Sequence, residues 1–194
     1  MTTVFFDLET GGLEDHHPDI VLAALAVDAQ GQELSSFYRR ILFSIDACEQ
    51  EALRLNCYNA EAWVDAKQEA QVVNEFSAWL RPHRVIEQKG ARTGNTYLVA
   101  RLAGHNAASF DGPRLRRMFA RHDAFLPAAM LVLDTLQLAL WWHHARGKTV
   151  ENFKLGTLCA QFSIPLITPH DALADVRATA QLAMLFTGEN HGTI

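Results

Sequence analysis

Asp7 and Glu9 stand two residues apart at the end of a short apolar run that begins at Val4. Side chains of an extended strand alternate between its faces, so these two carboxylates point the same way. Two like charges side by side and away from water are unfavourable unless a positive partner joins them. Hard oxygen ligands of this kind suit Mg²⁺ or Mn²⁺. Two further acids occupy comparable places. Asp111 follows Phe110 just ahead of a helix expected to start near Pro113, and Asp175 falls in the first turn of the last expected helix, five residues after His170. Taken singly, each has a plain alternative. Asp7 and Glu9 would open a solvated turn, Asp111 would cap a helix, and Asp175 would answer a helix dipole.

The elements that must position these acids are legible around them. Residues 4–7, 20–27 and 34–43 are β-prone runs separated by Gly11–Gly12 and by the turn-like 28–32 segment, which predicts an antiparallel three-strand meander. Val72, Val73, Phe76, Trp79 and Leu80 repeat at helical spacing before Pro82. Strands are expected at 97–102 and 131–133, and helices after Pro113, at 136–142, at 155–162 and at 172–186. Asp171 is the expected N-cap of the last helix and Gly188 its stop. A meander followed by alternating helices and strands predicts an α/β domain with a mixed sheet, occupying residues 1–194 as one unit.

Composition bounds the function. The chain has 194 residues, and its 17 basic and 22 acidic residues give 17 − 22 = −5. That excludes nucleic-acid binding through a uniformly basic coat, although not through a local patch. No apolar run is long enough for a membrane span, and the opening residues lack the basic and apolar regions of a secretory signal. Cys48, Cys57 and Cys159 are widely spaced and read as buried, reduced thiols, so a cytoplasmic protein is expected. The pairs His16–His17 and His143–His144 read as solvated residues rather than zinc ligands.

Three stretches carry a family resemblance. Phe6-Asp7-Leu8-Glu9-Thr10-Gly11-Gly12-Leu13, His105-Asn106-Ala107-Ala108-Ser109-Phe110-Asp111 and His170-Asp171-Ala172-Leu173-Ala174-Asp175 resemble, in order, the three blocks of the DEDD 3′→5′ exonuclease superfamily. The histidine in the third block matches the DEDDh subclass, which includes proofreading exonucleases, ribonuclease T and oligoribonuclease. Leu133-Asp134-Thr135 resembles a strand-to-helix junction between blocks two and three. The second block has one residue more between Asn106 and Phe110 than the family's usual pattern.

The resemblance implies a ribonuclease-H-like fold with a mixed central sheet, an antiparallel meander plus parallel strands, flanked by helices. It implies hydrolysis of a terminal phosphodiester with two divalent ions, Mg²⁺ or Mn²⁺. Asp7 would bridge both ions, Glu9 and Asp175 would complete one site, and Asp111 would help hold the other. His170 would be the general base. Thr10, Gly11, Leu13 and Asn106 would receive the terminal nucleotide. The expected partner is a nucleic acid 3′ end, single-stranded or short, with DNA and RNA both open; no membrane partner is expected, and a homodimer is compatible with the sequence. The alternative is a catalytically silent nucleic-acid-binding adaptor on the same fold. Arg114, Arg116, Arg117 and Arg121 would contact phosphates or form a solvated helix face. Of Trp141 and Trp142, at least one is expected in the core.

Overall fold

The computed structural model describes residues 1–91, 94–166 and 171–188. Strands β1 (Thr3–Thr10), β2 (Asp19–Val27) and β3 (Glu33–Arg40) form the expected antiparallel meander. On its other side β1 pairs in parallel with β6 (Leu102–Gly104), which pairs in parallel with β7 (Leu133–Asp134). The five-stranded sheet therefore has the order β3-β2-β1-β6-β7 and places β1 at its centre. β4 (Arg84–Lys89) and β5 (Thr96–Ala100) form a separate antiparallel pair.

Alternation along β1 decides which layer each residue meets. Val4, Phe6 and Leu8 pack against α2 (Glu69–Leu80) and α3 (Asp111–Arg121) through Val72, Phe76, Leu115 and Met118. Phe5 faces α6 (Ala172–Gly188) through Ala172, Val176 and Ala180. Asp7 and Glu9, in step with Phe5, thus point toward the start of α6. Both faces of β2 are covered, and all nine of its residues are buried. A third cluster joins α4 (Thr135–Ala145) and α5 (Leu155–Gln161) to α6 around Trp142, Leu158, Leu182 and Phe186. Trp142 is the core member of its pair, and Trp141 is exposed.

Several expectations need correction. The strand expected at 97–102 is interrupted at Arg101, whose carbonyl accepts the Val4 N–H at 2.8 Å; its two parts serve different sheets. The strand expected at 131–133 shrinks to β7, and Leu131 remains exposed. Helix α3 starts at Asp111, ahead of Pro113. His143 is buried rather than solvated, with Nδ1 2.8 Å from the Ala139 carbonyl and Nε2 3.2 Å from Gln161 Oε1. Of the cysteines only Cys159 is buried, and burial pushes its thiol up to about 11; Cys57 is exposed. Helix α1 (Gln50–Leu55) and strand β4 had no expected counterpart.

Candidate active site

The carboxylates of Asp7, Glu9 and Asp175 each offer an oxygen within 4.8 Å of the other two. The strand period aligns the first two, and the packing of α6 on the Phe5 face of the sheet delivers the third. Asp171 caps this helix as expected, its Oδ1 accepting the N–H groups of Leu173 (3.1 Å) and Ala174 (3.3 Å). Asp111 arrives from α3 as its first helical residue and is not a cap; its Oδ1 accepts the Leu8 N–H at 3.1 Å, beside Asp7.

Electrostatics mark the same place. Burial, then the charges of Asp111, Glu9 and Asp175, hold the Asp7 carboxyl well above the usual carboxylate range. Burial and the neighbouring acids push Glu9 to about 8, and burial raises Asp111 to about 7. The Glu9 Oε1 atom is buried and accepts no hydrogen bond from the described residues. Mutually repelling oxygens, one of them without a donor, fit a divalent cation, whose charge would reverse each of these shifts. Asp7, Glu9, Asp111 and Asp175 are the residues present that could hold it.

The second block is organised by Asp134, the N-cap of α4. Its carboxylate accepts the N–H groups of Asn106 (2.9 Å), Ala108 (3.0 Å) and Leu136 (2.9 Å). Asn106 takes a left-handed conformation (φ 59°), and its carbonyl accepts from Ser109 and Phe110, a turn that absorbs the extra residue before Asp111. His105 bridges elements, with Nδ1 2.9 Å from Thr135 Oγ1 and Nε2 2.8 Å from the Phe153 carbonyl. Both ring nitrogens are thereby engaged in structure.

After Glu9 the chain turns tightly. Thr10 Oγ1 donates to the Gly12 carbonyl at 2.8 Å. A Cβ on Gly11 would come within 2.5 Å of Cys48 Sγ, so this glycine is required by protein packing. Thr10 and Gly11 are buried, whereas Leu13 is exposed. His170 lies outside the described residues.

Arg114 is the residue that sequence reasoning misjudged. It is 3% exposed and forms neither a solvated face nor a phosphate contact. NH1 pairs with buried Asp19 at 3.1 Å and donates to the His17 carbonyl at 3.2 Å. NH2 gathers the carbonyls of Gly12 (3.1 Å), Leu13 (3.0 Å) and Glu14 (2.7 Å). The helix that carries Asp111 thereby grips the loop that follows Glu9. A signal was available, because Arg114 stands four residues before Met118 and shares its apolar face. Arg117 pairs with Asp15, and Arg121 with Asp19 and Glu69.

A mixed sheet of order β3-β2-β1-β6-β7, with acids gathered at the end of its central strand, is the ribonuclease-H-like architecture of exonuclease I. Exonuclease I of Methylocaldum szegediense superposes with a TM-score of 0.77 at 19% identity, covering 98% of this chain and 41% of that one. E. coli exonuclease I in complex with a dT13 oligonucleotide superposes with a TM-score of 0.74 at 20% identity, covering 95% and 40%. The model of the RNase_T exonuclease family matches residues 94–183 of this chain. Among curated relatives, the PolC-type DNA polymerase III of Oceanobacillus iheyensis is 32% identical over 181 residues, and that of Bacillus subtilis 28% over 183. These alignments cover 93% and 94% of this chain, which spans only 11% of the length of either polymerase. Among the described residues, no helix is long and apolar enough to cross a membrane.

Proposed function

We propose that residues 1–194 form one DEDDh-type exonuclease domain that removes nucleoside monophosphates from the 3′ end of a DNA or RNA strand with the help of two divalent cations, Mg²⁺ or Mn²⁺. The observation that carries this reading is the convergence of Asp7, Glu9 and Asp175 within 4.8 Å, with a Glu9 oxygen that finds no donor among the described residues. When bound, such ions supply Lewis acidity at the scissile phosphate and lower the pKa of the attacking water. Asp7 would contribute to both ion sites, Glu9 and Asp175 to one, and Asp111 to the other. The Leu8 N–H fixes the Asp111 carboxylate, and Asp134 fixes the turn that leads to it.

His170 would take the proton from the attacking water, since neutral imidazole is available near pH 7. In the sequence it directly precedes Asp171, the residue that caps α6. Thr10, Gly11, Leu13 and Asn106 would receive the terminal nucleotide, the exposed Leu13 through its side chain. Single-stranded ends are the favoured substrate, in keeping with the oligonucleotide held by E. coli exonuclease I. The free thiols accord with a cytoplasmic setting. The silent-adaptor alternative gains nothing from a site that keeps all four acids.

A substrate panel tests the proposal: linear single- and double-stranded DNA and RNA, dinucleotides and a closed single-stranded circle, each with Mn²⁺. Mononucleotides released from linear strands while the circle survives are expected. Cutting of the circle would assign an endonuclease instead.

A further inference from the structure

A recess of about 260 Å³ opens beside Glu9, walled by Tyr38, Arg40, Trp63 and Asp171 over a floor at Val21. The strand register explains its place. Glu9 is paired with Val21 and Val21 with Arg40, so the three form a row across β1, β2 and β3. At ~4.8 Å per strand, about 10 Å separates the backbones of Glu9 and Arg40.

Arg40 is held in a fixed pose. Its NH1 donates to the Ala62 carbonyl at 2.7 Å, and its guanidinium lies 5.0 Å from the Trp63 ring centroid and 5.6 Å from that of Tyr38. Neighbouring Arg39 is paired with Glu75, but Arg40 forms no ion pair among the described residues. Its buried Nε also finds no acceptor among the described residues. A second recess of about 240 Å³ shares Tyr38 and Arg40 with the first and runs to Asp65 and Lys67. A shallow groove thus leads from Glu9 over Arg40 to a lysine at the edge of the sheet.

A clamped guanidinium offers only donors, in a planar fork that matches phosphate oxygens. The aromatic rings beside it already have a face taken by the guanidinium, which disfavours base stacking as the purpose of the recess. Of the two acids on its wall, Asp171 is engaged by the N–H groups of Leu173 and Ala174. Glu9 belongs to the cluster that would be neutralised by cations.

We propose that Arg40, clamped by Tyr38 and Trp63, binds the backbone phosphate adjacent to the scissile one, so that the domain favours strands with at least two phosphodiesters. This rests on the nuclease reading above and names a strand subsite within it. The test compares a dinucleotide (one phosphodiester) with a trinucleotide (two) in wild type, Arg40→Gln and Arg40→Lys, as kcat/KM with Mn²⁺. Loss of a charge-assisted contact is expected to lower the trinucleotide-to-dinucleotide ratio about ten-fold in Arg40→Gln, with Arg40→Lys in between. Fluorescence anisotropy of a labelled single-stranded oligonucleotide in EDTA reads the same contact without turnover. There the slope of log affinity against log salt should fall by roughly 0.7 in Arg40→Gln. An unchanged ratio, or an equal loss on both substrates, overturns the subsite. If wild type cuts neither substrate, the nuclease reading fails and the salt slope decides the subsite, an unchanged slope overturning it.

Discussion

Removing one charge from the carboxylate cluster should make the metal-free protein more stable at alkaline pH, although an asparagine replaces a site residue. The perturbation is Asp7→Asn. Glu9 titrates at about 8 in the fold against an ordinary 4.5, for reasons that begin with burial and continue with its acidic neighbours. A carboxyl raised in the folded state supports folding fully below its unfolded pKa and withdraws that support as pH rises through the folded one. At 1.36 kcal/mol per pKa unit, Glu9 alone withdraws about 3–4 kcal/mol between pH 5 and pH 8. For a domain of this size that is roughly 10 °C in melting temperature.

Asp111, raised to about 7, and Asp7 act in the same direction. Glu75, held low by Arg39, is already ionised at pH 5 and adds nothing across this window. Burial holds His83 and His105 below 6.5, which works in the opposite direction below pH 7. The decisive comparison is therefore between variant and wild type. Thermal unfolding in EDTA should show Asp7→Asn melting above wild type at pH 8, with the gap closing toward pH 5. Mn²⁺ at pH 8 should raise wild type and leave the variant nearly unmoved. A variant that melts below wild type in EDTA at pH 8 would refute the reasoning, because the acids would then not be repelling one another.

Three further outcomes follow from the same contacts. Arg114→Ala leaves the buried Asp19 carboxylate with Arg121 as its remaining partner, deprives the carbonyls of Gly12, Leu13, Glu14 and His17 of their donor, and should lose about 3 kcal/mol in urea unfolding. Asp134→Ala deprives three backbone N–H groups of their acceptor and should cut kcat/KM on single-stranded DNA at least about ten-fold, with Mn²⁺ stabilisation retained, since the turn and not the cation site is loosened. His170→Ala should lower kcat by about 10²–10⁴ and remove the lower limb of the pH–rate profile, while Mn²⁺ still raises the melting temperature.

Much of the site could be read from the sequence because it follows from local periods. Period two aligned Asp7 with Glu9, and the cap at Asp171 fixed the start of the helix bearing Asp175. The meander was legible because β2 is apolar from Ile20 to Val27 and turns flank it. Less legible were features that depend on distant partners. Arg114 looked like part of a charged face because its counterion, Asp19, lies 95 residues away. Arg101 split one apolar run between two sheets, which no local pattern announces. β4, with the sequence Arg-Val-Ile-Glu-Gln-Lys, is held by its hairpin partner and lacks a clean alternation. Arg40 and Trp63 come together only through the fold of the 38–63 stretch, which has no motif to mark it.

The central claim is that the acids gathered at the end of β1 cut a strand from its 3′ end with divalent cations. A single-stranded oligonucleotide labelled at its 5′ end, incubated with Mn²⁺ and sampled over time, tests it most directly. The expected result is a ladder shortening one nucleotide at a time, absent in EDTA and absent with Asp7→Ala. Immediate release of the labelled 5′ nucleotide, or a full ladder from Asp7→Ala, would contradict the account.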